Sequence, residues 1–209
     1  MGILHRPGQP RKAIRVGILL LLAVLLHGCG GGGSNTTNSA PVSTTTVDGM
    51  VSKGPVADAT ITLFPLLPNG QRGNQVAPGA GQSAITTRGN GAWRATIPRT
   101  VTGPLLVVAT GGTFSDEVTG TQVPVGNTTE FLGLVPAGET AAAVTPVTHA
   151  LALATQTALQ TAAAAGPAPD VNAMVATVIT RATETFGFDP VRTLPPDPHA
   201  LQGQSTAAV

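Results

Sequence analysis

Tyrosine is absent from this chain, cysteine occurs once, and the aromatic residues number only six: Phe64, Trp93, Phe114, Phe131, Phe186 and Phe188. A single cysteine excludes an intrachain disulfide framework. With so few aromatics, any core must be built from Val, Leu, Ile and Ala, and it gains little per residue. Charge is also scarce, with 11 basic and 10 acidic residues, and no acidic residue precedes Asp48. Four of the basic residues lie before Cys29, so the remainder carries seven against ten, a net of −3, with no block of one sign. That argues against nucleic acid or a polybasic membrane patch. Nor does the N-terminal apolar run, the 11 residues from Val16 to Leu26, suffice to span a membrane. As a helix it covers about 16 Å, against a hydrocarbon core of about 30 Å.

What the N-terminus does contain is ordered. Arg6, Arg11, Lys12 and Arg15 come first, then the short apolar run, then Cys29 and a stretch of glycines. The length suits the h-region of a signal peptide, and the positive flank holds the N-terminus on the cytoplasmic side. Leu26-His27-Gly28-Cys29 resembles a bacterial lipobox, with Leu26, Gly28 and Cys29 on pattern and His27 where a smaller residue is usual. The resemblance implies a diacylglyceryl thioether on Cys29, cleavage between Gly28 and Cys29, and acylation (palmitate among the chains) of the new amino group. An uncleaved anchor or an ordinary signal with a free thiol are the plainer readings, and neither accounts for the lone cysteine falling there. Two or three acyl chains hold a protein on a membrane stably, whereas one binds reversibly.

Residues 29–46 are a Gly/Ser/Thr/Asn tether with almost nothing to bury. From Val47 the texture is short β-type runs between turns: Val47 to Ser52, Ala59 to Leu66, Ser83 to Arg88, Ala92 to Pro98, Pro104 to Ala109, Thr113 to Val118 and Thr128 to Val135. Gly89, Gly91, Gly111, Gly112 and Gly126 supply turn positions. Trp93, Ala95 and Ile97 alternate with Arg94 and Thr96, so one face of that strand is apolar. The Gly/Pro-rich loop from Pro68 to Gly81 is expected to be exposed and mobile. Seven such runs point to a small β-sandwich over residues 47–136.

The opening Val47-Asp-Gly-Met-Val-Ser-Lys-Gly-Pro-Val-Ala-Asp-Ala-Thr-Ile-Thr-Leu-Phe64 and the hairpin Thr87-Arg-Gly-Asn-Gly-Ala-Trp93 resemble a carboxypeptidase regulatory-like domain. The resemblance covers about Val47 to Val118. It implies an Ig-like or transthyretin-like β-sandwich without catalytic residues of its own. Its motif positions are turn and core residues, which speak to fold far more than to function.

Beyond Gly138 the pattern becomes helical. Thr145 is an N-cap with Pro146 at the first helical position, and the Ala/Leu-rich run to Ala165 is stopped by Gly166-Pro167. Asp170 caps a second helix, in which Val171, Met174, Val175, Val178, Ile179, Ala182 and Phe186 form one stripe. Residues 137–190 thus read as a helical hairpin that needs an apolar surface to cover, and 191–209 as a Pro-rich polar tail. Val144-Thr-Pro-Val-Thr148 and Phe186-Gly-Phe-Asp-Pro190 are similar to segments that open and close a helical region after this sandwich in many bacterial lipoproteins.

Catalytic constellations are absent from the sequence pattern, and no cofactor or metal is called for. His149 is the one histidine in a structured part; a lone helical His is ordinarily a surface or interfacial residue, and no partner Cys or His-x3-His pair exists for zinc. No G-x-S-x-G occurs. Gly79-Ala-Gly-Gln-Ser83 has the glycines of a phosphate loop without its Lys. Asp58, Asp116 and Glu117 offer hard oxygen ligands suited to calcium, but without the dense spacing of such sites. Trp93 is a core residue by its alternation, or else the only aromatic placed to stack on a carbohydrate. The expectation is a mainly β chain, a sandwich followed by a helical hairpin. It is read as a non-enzymatic envelope lipoprotein, held to the outer membrane through Cys29, whose partner is a protein or a carbohydrate. The alternative is the front part of a larger envelope enzyme or substrate-binding lipoprotein.

Overall fold

The computed structural model describes residues 43–79, 81–116 and 119–195. The chain is mainly β. In one sheet β1 (Thr44–Val51) lies between β4 (Ala92–Pro98), antiparallel to it, and β9 (Ala141–Val144), parallel to it. In a second, β5 (Leu105–Thr110) lies between β3 (Thr60–Pro65) and β8 (Glu130–Val135), both antiparallel. A smaller sheet joins β2 (Val56–Ala57), β6 (Thr113–Ser115) and β7 (Gln122–Pro124). Two helices follow, α1 (Pro146–Ala165) and α2 (Val171–Phe186).

The first two sheets face each other across a core that includes Val47, Ala95 and Ile97 from one and Ile61, Leu63 and Val107 from the other. The opposite face of the second sheet is buried as well. Leu106, Val108, Leu132 and Leu134 pack with Ala152 and Leu159 of α1 and with Val175 and Ile179 of α2. The Leu-Leu-Val-Val-Ala run of β5 shows why, since a strand covered on both faces needs no polar alternation. The helical hairpin thus makes a third layer.

Both helices begin as their caps dictate. Thr145 accepts from the Thr148 amide and the Thr148 hydroxyl accepts from the Thr145 amide, a reciprocal capping box ahead of Pro146. Asp170 accepts from the Asn172 and Ala173 amides, and α2 ends on Gly187 in the left-handed conformation. The stripe of α2 is buried at Val175, Ile179 and Ala182 but runs out at Phe186, which is exposed.

The sheet edges are covered largely by groups outside the strands. On β4 the Gln82 side chain both donates to Arg94 O and accepts from the Thr96 amide, while the Gly79 amide donates to Thr96 O. On β3 the Val76 amide donates to Leu63 O, and the Ile61 amide donates to Ile85 O. The Ala143 amide of β9 donates to Val191 O. Unpaired edges are templates for association, and here short local segments occupy them.

Several expectations change. The chain enters β1 at Thr44, inside the stretch read as tether, because Thr44 to Thr46 pair with Pro98 to Thr96. Ser83 to Arg88 forms no strand: Thr86 bridges Thr60, but Thr87 turns its hydroxyl inward. Strand β6 stops at Ser115, where Asp116 starts a turn by accepting from the Thr119 amide and hydroxyl. Strands β2, β7 and β9 are short and were not expected from the pattern. The Pro68 to Gly81 loop is pinned by the Gln156 side chain donating to Gly70 O, by Val76 in the core and by Gly79 on β4. Val191, read as part of the tail, is fully buried under the helices. Of the turn glycines, Gly91, Gly111 and Gly112 have positive φ, and Gly89 and Gly126 do not.

Candidate functional site

Gly28 and Cys29 lie outside the described residues. Within the described part, the residues singled out for chemistry prove to hold the fold. Trp93 is 3% exposed and packs over Gly49, its cross-strand partner on β1, so it offers no stacking platform. Its Nε1 finds no acceptor among the described residues. Thr87 is buried, and its hydroxyl donates to Val56 O at 2.6 Å and accepts from the Ala59 amide at 2.8 Å. It ties down the turn in which Asp58 takes a positive φ of 57°. Gly91, between Thr87 and Trp93, has a φ of 81°, and a Cβ there would meet Val51 O at 2.3 Å. The hairpin motif is therefore a set of backbone constraints.

The carboxylates considered for calcium do not converge. Register pairs Ala57 with Thr113 and Val56 with Phe114, which sends Asp58 and Asp116 toward opposite ends of that ladder. Asp116 is engaged with Thr119, and Glu117 lies outside the described residues. No cluster of three His, Cys, Asp or Glu side chains suited to a metal occurs among the described residues. Within the Gly79 to Ser83 glycine segment, Gly79 and Gln82 bond to β4, so the segment does not open a helix.

His149 is interfacial. Its Nδ1 accepts from the Leu132 amide on β8 at 3.1 Å, and the neighbouring Thr148 hydroxyl donates to Leu132 O at 3.3 Å. On the same strand, Glu130 takes both terminal nitrogens of Arg72, at 2.9 and 2.5 Å. The Arg72 hydrogen bonds, against the opposing effect of burial, pull the Glu130 carboxyl below its usual range, and the charge of Arg72 adds to that. A second cluster ties down the segment after α2. Arg192 bridges Asp189 and Glu139 at 2.5 and 3.0 Å. Burial would raise the Asp189 carboxyl, but hydrogen bonds from the Arg192 side chain and from the Arg192 and Val191 amides lower it. Neither cluster was legible in sequence, since its members lie far apart in the chain or in a segment read as tail.

The surface with the character of a binding site is apolar. A cavity of about 440 Å³ opens beside the start of α1, lined by Val147, Phe188, Pro190, Leu194 and Pro195. Phe186 and Phe188 stand at its side, 46% and 49% exposed, with ring centroids 6.1 Å apart. Position along β1 is informative. Thr44 pairs with Pro98 at one end, and Val51 pairs with Val144, just before α1, at the other. The apolar patch thus lies toward the Val51 end of β1. Comparison with protein-family models, with curated proteins and with solved structures gave no match to this chain.

Proposed function

We propose that this protein is a lipid-anchored, non-enzymatic lipoprotein of the bacterial outer membrane, with a sandwich of carboxypeptidase regulatory-like type serving as a scaffold or binding module. The observation that carries the reading is the sequence order of basic residues, short apolar run, Leu26-His27-Gly28-Cys29 and glycine tether. Two structural features support the scaffold half of it. The motif residues Thr87, Gly91 and Trp93 are each committed to backbone and packing roles. The exposed apolar patch around Phe186 and Phe188 lies toward the Val51 end of β1. A protein partner is favoured over a carbohydrate, because Trp93, the aromatic proposed for sugar stacking, is buried.

Metabolic labelling tests the anchor. Wild-type protein is expected to incorporate palmitate and to fractionate with membranes, and Cys29→Ala to lose both. Absence of label on the wild type overturns the reading. Crosslinking in intact cells followed by affinity capture, compared between wild type and a Phe186→Ser/Phe188→Ser variant, tests the partner. A captured protein lost in the variant supports the scaffold role, and the same capture by both removes the apolar patch from it.

A further inference from the structure

One contact joins the helical layer to the sandwich through a titratable group. Leu132 points its amide and carbonyl away from β5, as alternate residues of an antiparallel ladder do. His149, in the first turn of α1, takes the amide at Nδ1, and the neighbouring Thr148 hydroxyl, shared with Thr145 O at 3.1 Å, lies 3.3 Å from the carbonyl. The pair closes the outer edge of β8 where the helix lands. The acceptor is an imidazole nitrogen, and that is the unusual part. A neutral imidazole accepts at one nitrogen, whereas imidazolium donates at both. A proton added at Nδ1 would face the Leu132 N–H, which leaves two donors opposed and a sheet-edge amide without a partner.

We propose that His149 makes the docking of α1 on β8 sensitive to pH, closed when the imidazole is neutral and loosened at Leu132 when it is protonated. Helix α1 carries no Asp, Glu, Lys or Arg. Glu130 is the carboxylate on β8, and both of its oxygens are already engaged by Arg72 from the loop after β3. Attraction to Glu130 eases the arrival of a proton but supplies no acceptor for the Leu132 amide. Arg181 and Glu184 are exposed on α2, and Asp189, Arg192 and Glu139 pair with one another. Protonation therefore trades a satisfied edge for an open one at the seam between layers.

Amide hydrogen exchange on the full-length protein at pH 7.5 and 5.5 reads this directly. After correction for intrinsic exchange, protection of the Leu132 amide is expected to fall at least tenfold at the lower pH. The Gly133 amide, which points the other way toward β5, is expected to hold. The variant His149→Asn keeps an acceptor that cannot take a proton at these pH values, and its Leu132 amide should stay equally protected at both. Unchanged protection of Leu132 in the wild type overturns the proposal, as does an equal loss in His149→Asn. The wild-type comparison of Leu132 with Gly133 decides the matter even where the variant does not fold.

Discussion

The Trp93 ring lies against Gly49 of β1. A Cβ on Gly49 would stand 2.3 Å from the indole ring and 2.5 Å from Ala142 O, so only glycine lets the ring lie against β1. Removing the indole leaves a cavity in a core with few other large side chains. Trp93→Ala is expected to cost about 3 kcal/mol or more in urea unfolding. Gly49→Ala, which overpacks the same spot, is expected to cost about 1–3 kcal/mol. Native Trp93 fluorescence should resist acrylamide, and full quenching would refute the buried position. The period-two pattern of β4 announced the inward Trp93, but nothing in the sequence announced its partner, because the pairing depends on register with β1.

At the scale of elements, the helices were the most legible part, because their caps are local. Thr145, Pro146, Asp170 and the Gly166-Pro167 stop act through bonds to neighbours within a few residues. Thr145→Ala removes the acceptor for the Thr148 amide and should destabilise the protein by about 1 kcal/mol, measured as a lowered denaturation midpoint. A Thr145→Ser variant, which keeps the hydroxyl, should restore most of it. Strands β2, β7 and β9 escaped notice for the converse reason. A strand of two to four residues has too little alternation to register, and it exists only because a partner strand is waiting. Likewise Gln82 and Val191 close strand edges through contacts that follow no local rule.

For the whole molecule, two paired carboxylates contribute to stability against acid. Glu130 links β8 to the loop bearing Arg72, and Asp189 holds Arg192 in the segment that reaches β9. Both have lowered pKa values in the folded state. Their contribution is therefore complete above the unfolded carboxyl range of about 4 and is lost as pH falls through the folded values. Glu130→Gln and Asp189→Asn should each flatten the decline of the melting temperature below about pH 4, and each should cost little at pH 7 because both pairs are partly solvated. A wild-type decline matched by both variants would rule the pairs out. By itself the sequence determined the mainly β class, the two helices with their caps and the inward face of β4, since each of these depends on residues close together in the chain. Tertiary structure alone decided that α1 and α2 cover the outer face of β5, that His149 meets Leu132, and that Asp58 and Asp116 stay apart. Those outcomes depend on strand register and layer packing, which bring together residues that no local pattern connects.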